Sequence, residues 1–519
     1  MVRLVQLGPP VLVGAVAFLV GWSTLLPGVA FWDTAELQAV APLLGTAHPT
    51  GFPTYVILGW LASVVLQPFG EPAFRMNLFS ALSVAAAAGV TVDLVRVLTG
   101  SRWIGVVAGL GLALTPQVWN SATHAEAHTL HLALLAILLR LLVGWQERRT
   151  AARDEEAARG AADRWLVAAA VVFGLSVGNH SLTLLLVPPV GLYVLAVEPR
   201  ILARPRIVMA CAFALAVTVV VVFLELPLRA GPLRAPLVYG RPETWDGFWY
   251  VVLAEQFRGS LIDPFGNLGR KFGDLVDLAF AQFGALALLI PFAFVVTAIR
   301  RPAYALLGGS AVAITAFFAA SYDNAAIERY YLGPILIAWT WLALLVSTAA
   351  DALAGLRGDP DGRSWTPSEA RIELVRRVAV AALAVVVLLG PGVLAFDDRR
   401  DDADRTRDRA AVRWLDAVER TVEPDAVILS WWSYSTTLWY GQLVEGRFPG
   451  VEIIDDRTRL DEDLGSLADV IERYFGERPV YVIRNDDWQA VEEHYVVEMI
   501  PMPMPDALGR VVGRQEEGS

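Results

Sequence analysis

Apolar stretches constrain this chain more than any other feature. Eleven of them, at 9–30, 77–97, 103–119, 128–144, 165–180, 181–197, 207–227, 281–299, 302–320, 331–350 and 376–396, fill most of the sequence up to residue 396. A helix needs about 20 apolar residues to cross a bilayer. Within the bilayer, backbone polar groups must be satisfied inside the segment, which selects helices for such stretches. Only 18% of the 519 residues are charged, against about 25% in an ordinary soluble protein, and the mean hydropathy is +0.49. The expected fold is therefore mainly α, a polytopic membrane helix bundle of about 11 transmembrane helices, followed by a soluble α/β domain. Pro9–Ala30 could also be read as a signal peptide ending at Gly28-Val29-Ala30. The later spans and the acidic motif just behind it favour a retained helix.

Charge sets the expected topology. The block 52–69 could span or lie flat at the interface. If it lies flat and the N-terminus is cytoplasmic, Arg96/Arg102, Arg148/Arg149/Arg153, Arg200/Arg204/Arg206, Arg300/Arg301 and Arg371/Arg376/Arg377 all fall on the cytoplasmic side, as the positive-inside rule requires. Residues 31–76 then form one external loop with membrane-hugging helices, and 228–280 forms a second. The transmembrane part is expected at 1–396 and an extracytoplasmic α/β domain at 397–519.

In that last segment, 426–429, 451–454 and 480–483 read as strands, with helices at 436–444 and about 463–474. It has neither a GxGxxG nor a Walker loop, so nucleotide binding is not expected there. The net charge of −11 argues against nucleic acid as a partner. Cys211 is the only cysteine, which excludes an internal disulfide and thiolate metal sites. Lys271 is the only lysine.

Polar motifs recur on the external face. Asp33 and Glu36 follow the first span, three residues apart. As an N-cap of a helix over 34–45, Asp33 would have only a capping role. As a general base at a low-dielectric rim, it would have its pKa raised toward a useful range. His48-Pro49-Thr50-Gly51-Phe52-Pro53 reads as a rigid turn, placing His48 near that pair or merely introducing an interfacial helix. Arg75 is either an interfacial anchor or a phosphate ligand, with Asn77 beside it. His124 and Glu126 occupy a short loop. Glu126, His128 and His131 are spaced like a helix face, but without a supporting ligand pattern no metal is expected. Asn179-His180 lies between two apolar runs. Glu225 stands where it could pair with Arg229, and Glu328-Arg329-Tyr330-Tyr331 opens a further span.

Arginines, carboxylates and histidines around apolar helices suit a substrate with a phosphate head and a lipid tail. Sugar transfer from a polyprenyl phosphate fits: phosphate is the leaving group, a carboxylate deprotonates the acceptor hydroxyl, and the transition state is oxocarbenium-like. The chain resembles the GT-C polytopic glycosyltransferases, most closely a prokaryotic branch similar to the eukaryotic ER O-mannosyltransferase acting on plexin-type receptors. The motifs carrying the resemblance are Trp32-Asp33-Thr34-Ala35-Glu36, His48-Pro49-Thr50-Gly51, Arg75-Met76-Asn77, Trp119 to Glu126, Gly174 to His180, Leu226 to Ala230, Arg329 to Pro334, and the stretch from Leu438 to Asp455. The resemblance implies a metal-independent, inverting transfer of a monosaccharide such as mannose to a protein Ser/Thr or a glycolipid. It implies Asp33 as base, with Glu36 or Glu126 orienting it or the acceptor. Arg75, Arg229 and Arg329 would serve the phosphate. His48, Asn77, His124, Asn179, His180 and Tyr330 would line the donor site. No cofactor is implied, and the location would be a bacterial or archaeal cell membrane.

The sequence departs from the family at several places. Ala35 stands in a glycine place, Thr50 replaces a second proline, His128 stands where tyrosine is common, and Ser430-Trp431-Trp432-Ser433 replaces a Gly-Asp ending. Two other classes compete. A transporter or lipid flippase would need charged paths and repeats; no internal repeat is visible, and the spans read as nearly free of internal charge. A non-catalytic scaffold with an external interaction domain would leave the Asp33 cluster without a task.

Overall fold

Proline and glycine cut the apolar blocks into helices of unequal length. The computed structural model describes residues 2–152, 156–324, 326–355, 378–379, 382, 385–483, 488–503 and 507–515. These residues form two compact units. One gathers 1–25, 80–224 and 253–404; the other gathers 26–79, 225–252 and 405–519.

The first unit is helical. It contains α1 (Val2–Trp22), most of α4 (Pro72–Thr99), α5 (Arg102–Ala113), α6 (Pro116–Ser121), α7 (Ala127–Ala151), α8 (Glu156–Asn179), α9 (Val187–Val197), α10 (Pro205–Phe223), α13 (Leu268–Phe283), α14 (Ile290–Arg300), α15 (Pro302–Ala319) and α16 (Leu332–Gly355). Among the described residues, seven helical stretches are long and apolar enough to cross a membrane. One of the expected spans is broken. Pro116 starts α6 at its first turn, ending the helix that would have covered 103–119. The expected 181–197 is one apolar helical stretch of 17 residues, its first six a 3-10 segment capped by His180 and running directly into α9. Residues 268–283, expected in a loop, form an amphipathic helix that keeps Leu268, Phe272 and Phe280 exposed. Of the span at 376–396, only Val378, Ala379, Ala382 and residues from 385 onward are described, and Arg153, Arg371, Arg376 and Arg377 lie outside the described residues.

Charge inside the spans is a correction to the sequence reading. Arg140, within α7, meets Asp93 of α4, which also accepts from Arg96 at 2.6 and 2.9 Å. The single carboxylate of Asp93 thus bridges two arginines. Buried tryptophans tie helix ends elsewhere: Trp119 donates to Thr24 at 3.0 Å and Trp339 to Thr115 at 2.9 Å. An indole N–H buried without a partner would cost about 1–3 kcal/mol.

The second unit contains α2 (Trp32–Leu43), α3 (Pro53–Val65), α11 (Glu225–Ala230), α12 (Trp245–Val252) and a five-stranded sheet. The strands β1 (Val427–Ser430), β2 (Glu452–Asp455), β3 (Val480–Ile483), β4 (Tyr495–Ile500) and β5 (Leu508–Arg514) lie in the order β2-β1-β3-β5-β4. β1 is parallel to β2 and β3, and β5 is antiparallel to β3 and β4. All four residues of β1 and of β3 are buried, as expected where both faces of a parallel strand are covered. The parallel pair β1 and β2 ends in register at Ser430 and Asp455. That matters because open α/β sheets present functional groups at the carboxyl ends of parallel strands.

Candidate functional site

In the second unit the acidic motif is held on three sides. Asp33 is not the N-cap: α2 begins at Trp32 with Phe31 in the cap position and no side-chain cap bond. An aspartate in the first turn still interacts favourably with the helix dipole. The Asp33 carboxylate instead accepts the indole N–H of Trp432 at 2.9 Å. Glu36, one turn on and 1% exposed, accepts the backbone N–H of His48 at 2.6 Å and meets His48 Nδ1 with its other oxygen. The expected turn is present, with Gly51 N–H bonded to His48 O at 2.6 Å. Gly51 has φ +78°, and a Cβ there would press on Val251 and Leu226, so this place requires glycine. Trp432 lies 5.5 Å from the His48 ring and 5.6 Å from that of Tyr239. One tryptophan therefore touches both halves of the acid–histidine cluster.

The strap 225–252 fixes this cluster from outside. Thr46 N–H donates to Leu237 O at 3.1 Å, and Tyr239 N–H donates to Thr46 Oγ1 at 2.6 Å. Arg229 donates to the carbonyls of Leu44 (2.6 Å) and Leu43 (3.3 Å), closing the C-terminus of α2. It makes no ion pair with Glu225, whose carboxylate oxygens are both buried without a hydrogen-bond partner among the described residues. Arg75 donates to Ser63 O at 2.7 Å, near the end of α3. Asn77, fully buried, donates to Leu26 O and Gly28 O and accepts from Gln38 at 2.8 Å. The structure thus places Arg75, Asn77 and Arg229 on backbone carbonyls, where they hold helices and loops together.

Beside Glu36 lies a polar cavity of about 40 Å³, lined also by Thr46, Tyr239, Trp439, Asp455 and Arg457. The Arg457 guanidinium lies 4.6 Å from the Tyr250 ring centre and 5.5 Å from that of Tyr239, a stacking arrangement that suits arginine. Burial, with Asp456 beside it, raises the Asp455 carboxyl to about 6, against the Thr458 hydrogen bonds that favour its charge. Tyr239, Trp432, Asp455 and Arg457 were missed in the sequence. Their signal was positional: Trp432 and Arg457 each stand two residues past the end of neighbouring parallel strands.

The first unit carries a separate polar cluster. Glu126 is the N-cap of α7 and is 3% exposed. One of its oxygens accepts from the His128 N–H (3.1 Å) and faces His128 Nδ1 at 2.7 Å; the other accepts from Arg329 at 3.1 Å. Burial works to raise this carboxyl, but the charges of Arg329 and His128 outweigh it and hold the group well below the ordinary carboxylate range. With both oxygens engaged, Glu126 is built to position Arg329 and His128. His180 accepts the Leu182 N–H through Nδ1 (3.1 Å), and its ring lies 4.6 Å from His128 and 5.7 Å from Tyr330. Asn179 donates to Ala127 O at 3.0 Å. His124 lies 3.2 Å from the Thr123 hydroxyl. His128 Nε2, His131 Nδ1, Asn179 Oδ1 and Thr183 Oγ1 are buried without hydrogen-bond partners among the described residues. Such atoms are uncommon in folded proteins and mark polar capacity not spent on the protein itself.

Residues 33–201, running from Asp33 past His180, match the family model described as the N-terminal domain of protein O-mannosyl-transferase TMEM260. The mouse protein O-mannosyl-transferase TMEM260 is 29% identical over 241 residues, covering 45% of this chain and 31% of that protein. Its Dictyostelium discoideum counterpart is 26% identical over 171 residues, 32% of this chain and 20% of that protein. The chain thus aligns with under a third of the length of these curated relatives. The fold matches ArnT from Cupriavidus metallidurans bound to undecaprenyl phosphate, with a TM-score of 0.59 at 15% identity over 96% of this chain and 97% of that one. It also matches the Archaeoglobus fulgidus oligosaccharyltransferase tethered with an acceptor peptide, with a TM-score of 0.56 at 14% identity over 98% and 74%. A third match is AglB of that organism in complex with an inhibitory peptide and a dolichol-phosphate, at 0.51 and 14% over 96% and 74%.

Proposed function

We propose that this GT-C-fold, O-mannosyltransferase-like integral membrane protein transfers a monosaccharide from a polyprenyl phosphate to a hydroxyl acceptor. The observation that carries this reading is the cluster of Asp33, Glu36, His48 and Trp432. A carboxylate partnered by an indole, next to a buried Glu–His pair, is machinery for taking a proton from a hydroxyl. In the proposed step the acceptor oxygen attacks the anomeric carbon while its proton passes to Asp33. The bond from that carbon to the phosphate oxygen breaks, and configuration inverts. The phosphate departs as an anion, so the leaving group needs a cation more than an acid. Within the helical unit, Arg329, held by Glu126 with His180 and Tyr330 nearby, is proposed on its own account as a group that binds a phosphate anion. Arg75, Asn77 and Arg229 are assigned to holding the fold of the acidic motif, and His124 and Asn179 to supporting Glu126 and α7.

The sugar is proposed to be mannose and the acceptor a protein Ser/Thr hydroxyl or a glycolipid. The family match and the lipid and peptide ligands named for the structural neighbours support these choices. The reaction is proposed to need no metal and to run on the extracytoplasmic side of a bacterial or archaeal membrane. The N-terminus would be cytoplasmic, 1–396 would form the membrane part and 397–519 the external α/β part.

The test uses purified protein in nanodiscs with a panel of radiolabelled polyprenyl-phosphate sugars, with and without a membrane-protein fraction and with chelator present. Turnover of one donor is expected. Folded protein that binds and turns over none of them would overturn the proposal in favour of a transporter or scaffold.

A further inference from the structure

An apolar cavity of about 340 Å³ opens among α7, α8, α9 and α10. Leu142, Phe173, Gly191 and Cys211 line its walls, and Ile201 and Ile207 line one end. Val187, Leu202 and Val208 along it are exposed, so it is a groove open at the helix surface. Gly191 contributes to it directly: a Cβ there would meet nothing within 4 Å. Glycine inside a helix costs roughly 0.5–1 kcal/mol relative to alanine, and here the absent side chain leaves space on the cavity side.

The Ile201–Ile207 stretch covers the turn from α9 to α10 and the start of α10, with Arg200, Arg204 and Arg206 along it. Arg204 is neutralised by a two-point contact with Asp163, and neighbouring Arg149 by Glu198. Arg200 and Arg206 are exposed and carry no ion pair among the described residues. An apolar groove whose lining residues Ile201 and Ile207 each follow an uncompensated arginine complements an amphiphile with an anionic head, and basic pockets between transmembrane helices recognise lipid head groups in this way.

We propose that this cavity is a binding site for a two-chain anionic phospholipid, one acyl chain entering beside Gly191 and the phosphate resting on Arg200 and Arg206. It is independent of the transfer site: no residue assigned to donor or acceptor lines it.

The test is native mass spectrometry of the delipidated full-length chain offered equal amounts of phosphatidylglycerol and phosphatidylcholine. Phosphatidylglycerol should be retained in preference by on the order of ten-fold. The R200Q/R206Q double variant should lose that preference, and Gly191→Phe should lose the retained lipid of either kind. Equal retention of the two lipids by the parent protein would overturn the proposal. So would unchanged selectivity in R200Q/R206Q, or displacement of phosphatidylglycerol by an equal amount of polyprenyl phosphate. Both arginines are exposed, so the double variant remains informative even if Gly191→Phe fails to fold.

Discussion

Glu126 and Asp33 show how neighbours divide the work between two carboxylates. Glu126 gives one oxygen to His128 and the other to Arg329, so it acts through those groups. Removing its charge in Glu126→Gln should loosen Arg329 and raise the donor KM about ten-fold, the order expected for a charged hydrogen bond of 1.5–3 kcal/mol, with kcat changing less. A loss confined to kcat would instead make Glu126 a direct participant. Asp455 offers a pH test. Its carboxyl lies near 6 in the folded protein, above its ordinary 3.8, so the folded form binds the proton more tightly. Its stabilising contribution is complete below about pH 4 and is lost as pH rises through about 6. Asp455→Asn keeps an acceptor for Thr458 and should melt above the parent at about pH 8, with the advantage shrinking toward about pH 4. Parallel melting curves across that range would contradict the assignment.

At the scale of elements, α3 decides between spanning and lying flat. Thirteen residues rise about 20 Å, short of the roughly 30 Å hydrocarbon core. Its buried face is Tyr55, Val56, Gly59 and Ser63, and its exposed face is Trp60, Leu61, Val64 and Val65. Gly59 permits close packing, since a Cβ there would come within 2.9 Å of Ala41 and 2.8 Å of Met76. A spin label at Leu61 should report shallow immersion at the bilayer surface, and a midplane depth would contradict an interfacial helix. These elements also mark what the sequence revealed. Long apolar stretches gave most of the membrane helices, and short apolar runs gave β1, β2 and β3 within a residue. β5 escaped because Leu508–Arg514 carries two glycines, poor strand formers kept in place by pairing with neighbours; β4, Tyr495–Ile500, is rich in strand formers and was legible but not read. Asp33 as base or cap could not be decided from local spacing, because its partner Trp432 lies 399 residues away. The structural roles of Arg75, Asn77 and Arg229 were equally hidden, because their acceptors are backbone carbonyls that no motif encodes.

For the whole molecule, the acidic motif is folded by segments far apart in the chain. Residues 26–79, 225–252 and 405–519 form one unit, joined by Trp432 to Asp33, Thr437 to Ala30 and Tyr440 to Ala73. The helical segment that follows β1 is therefore part of what shapes the acidic motif, a conclusion that chain order alone did not suggest. The central claim is that Asp33 takes the acceptor proton. The most direct measurement compares the parent protein and Asp33→Asn in nanodiscs loaded with the donor found in the panel, following bound donor and transferred sugar in a single turnover. Donor retention at parental affinity with transfer reduced by about 10²–10⁴-fold is the predicted result; transfer at the parental rate in folded Asp33→Asn would contradict the account.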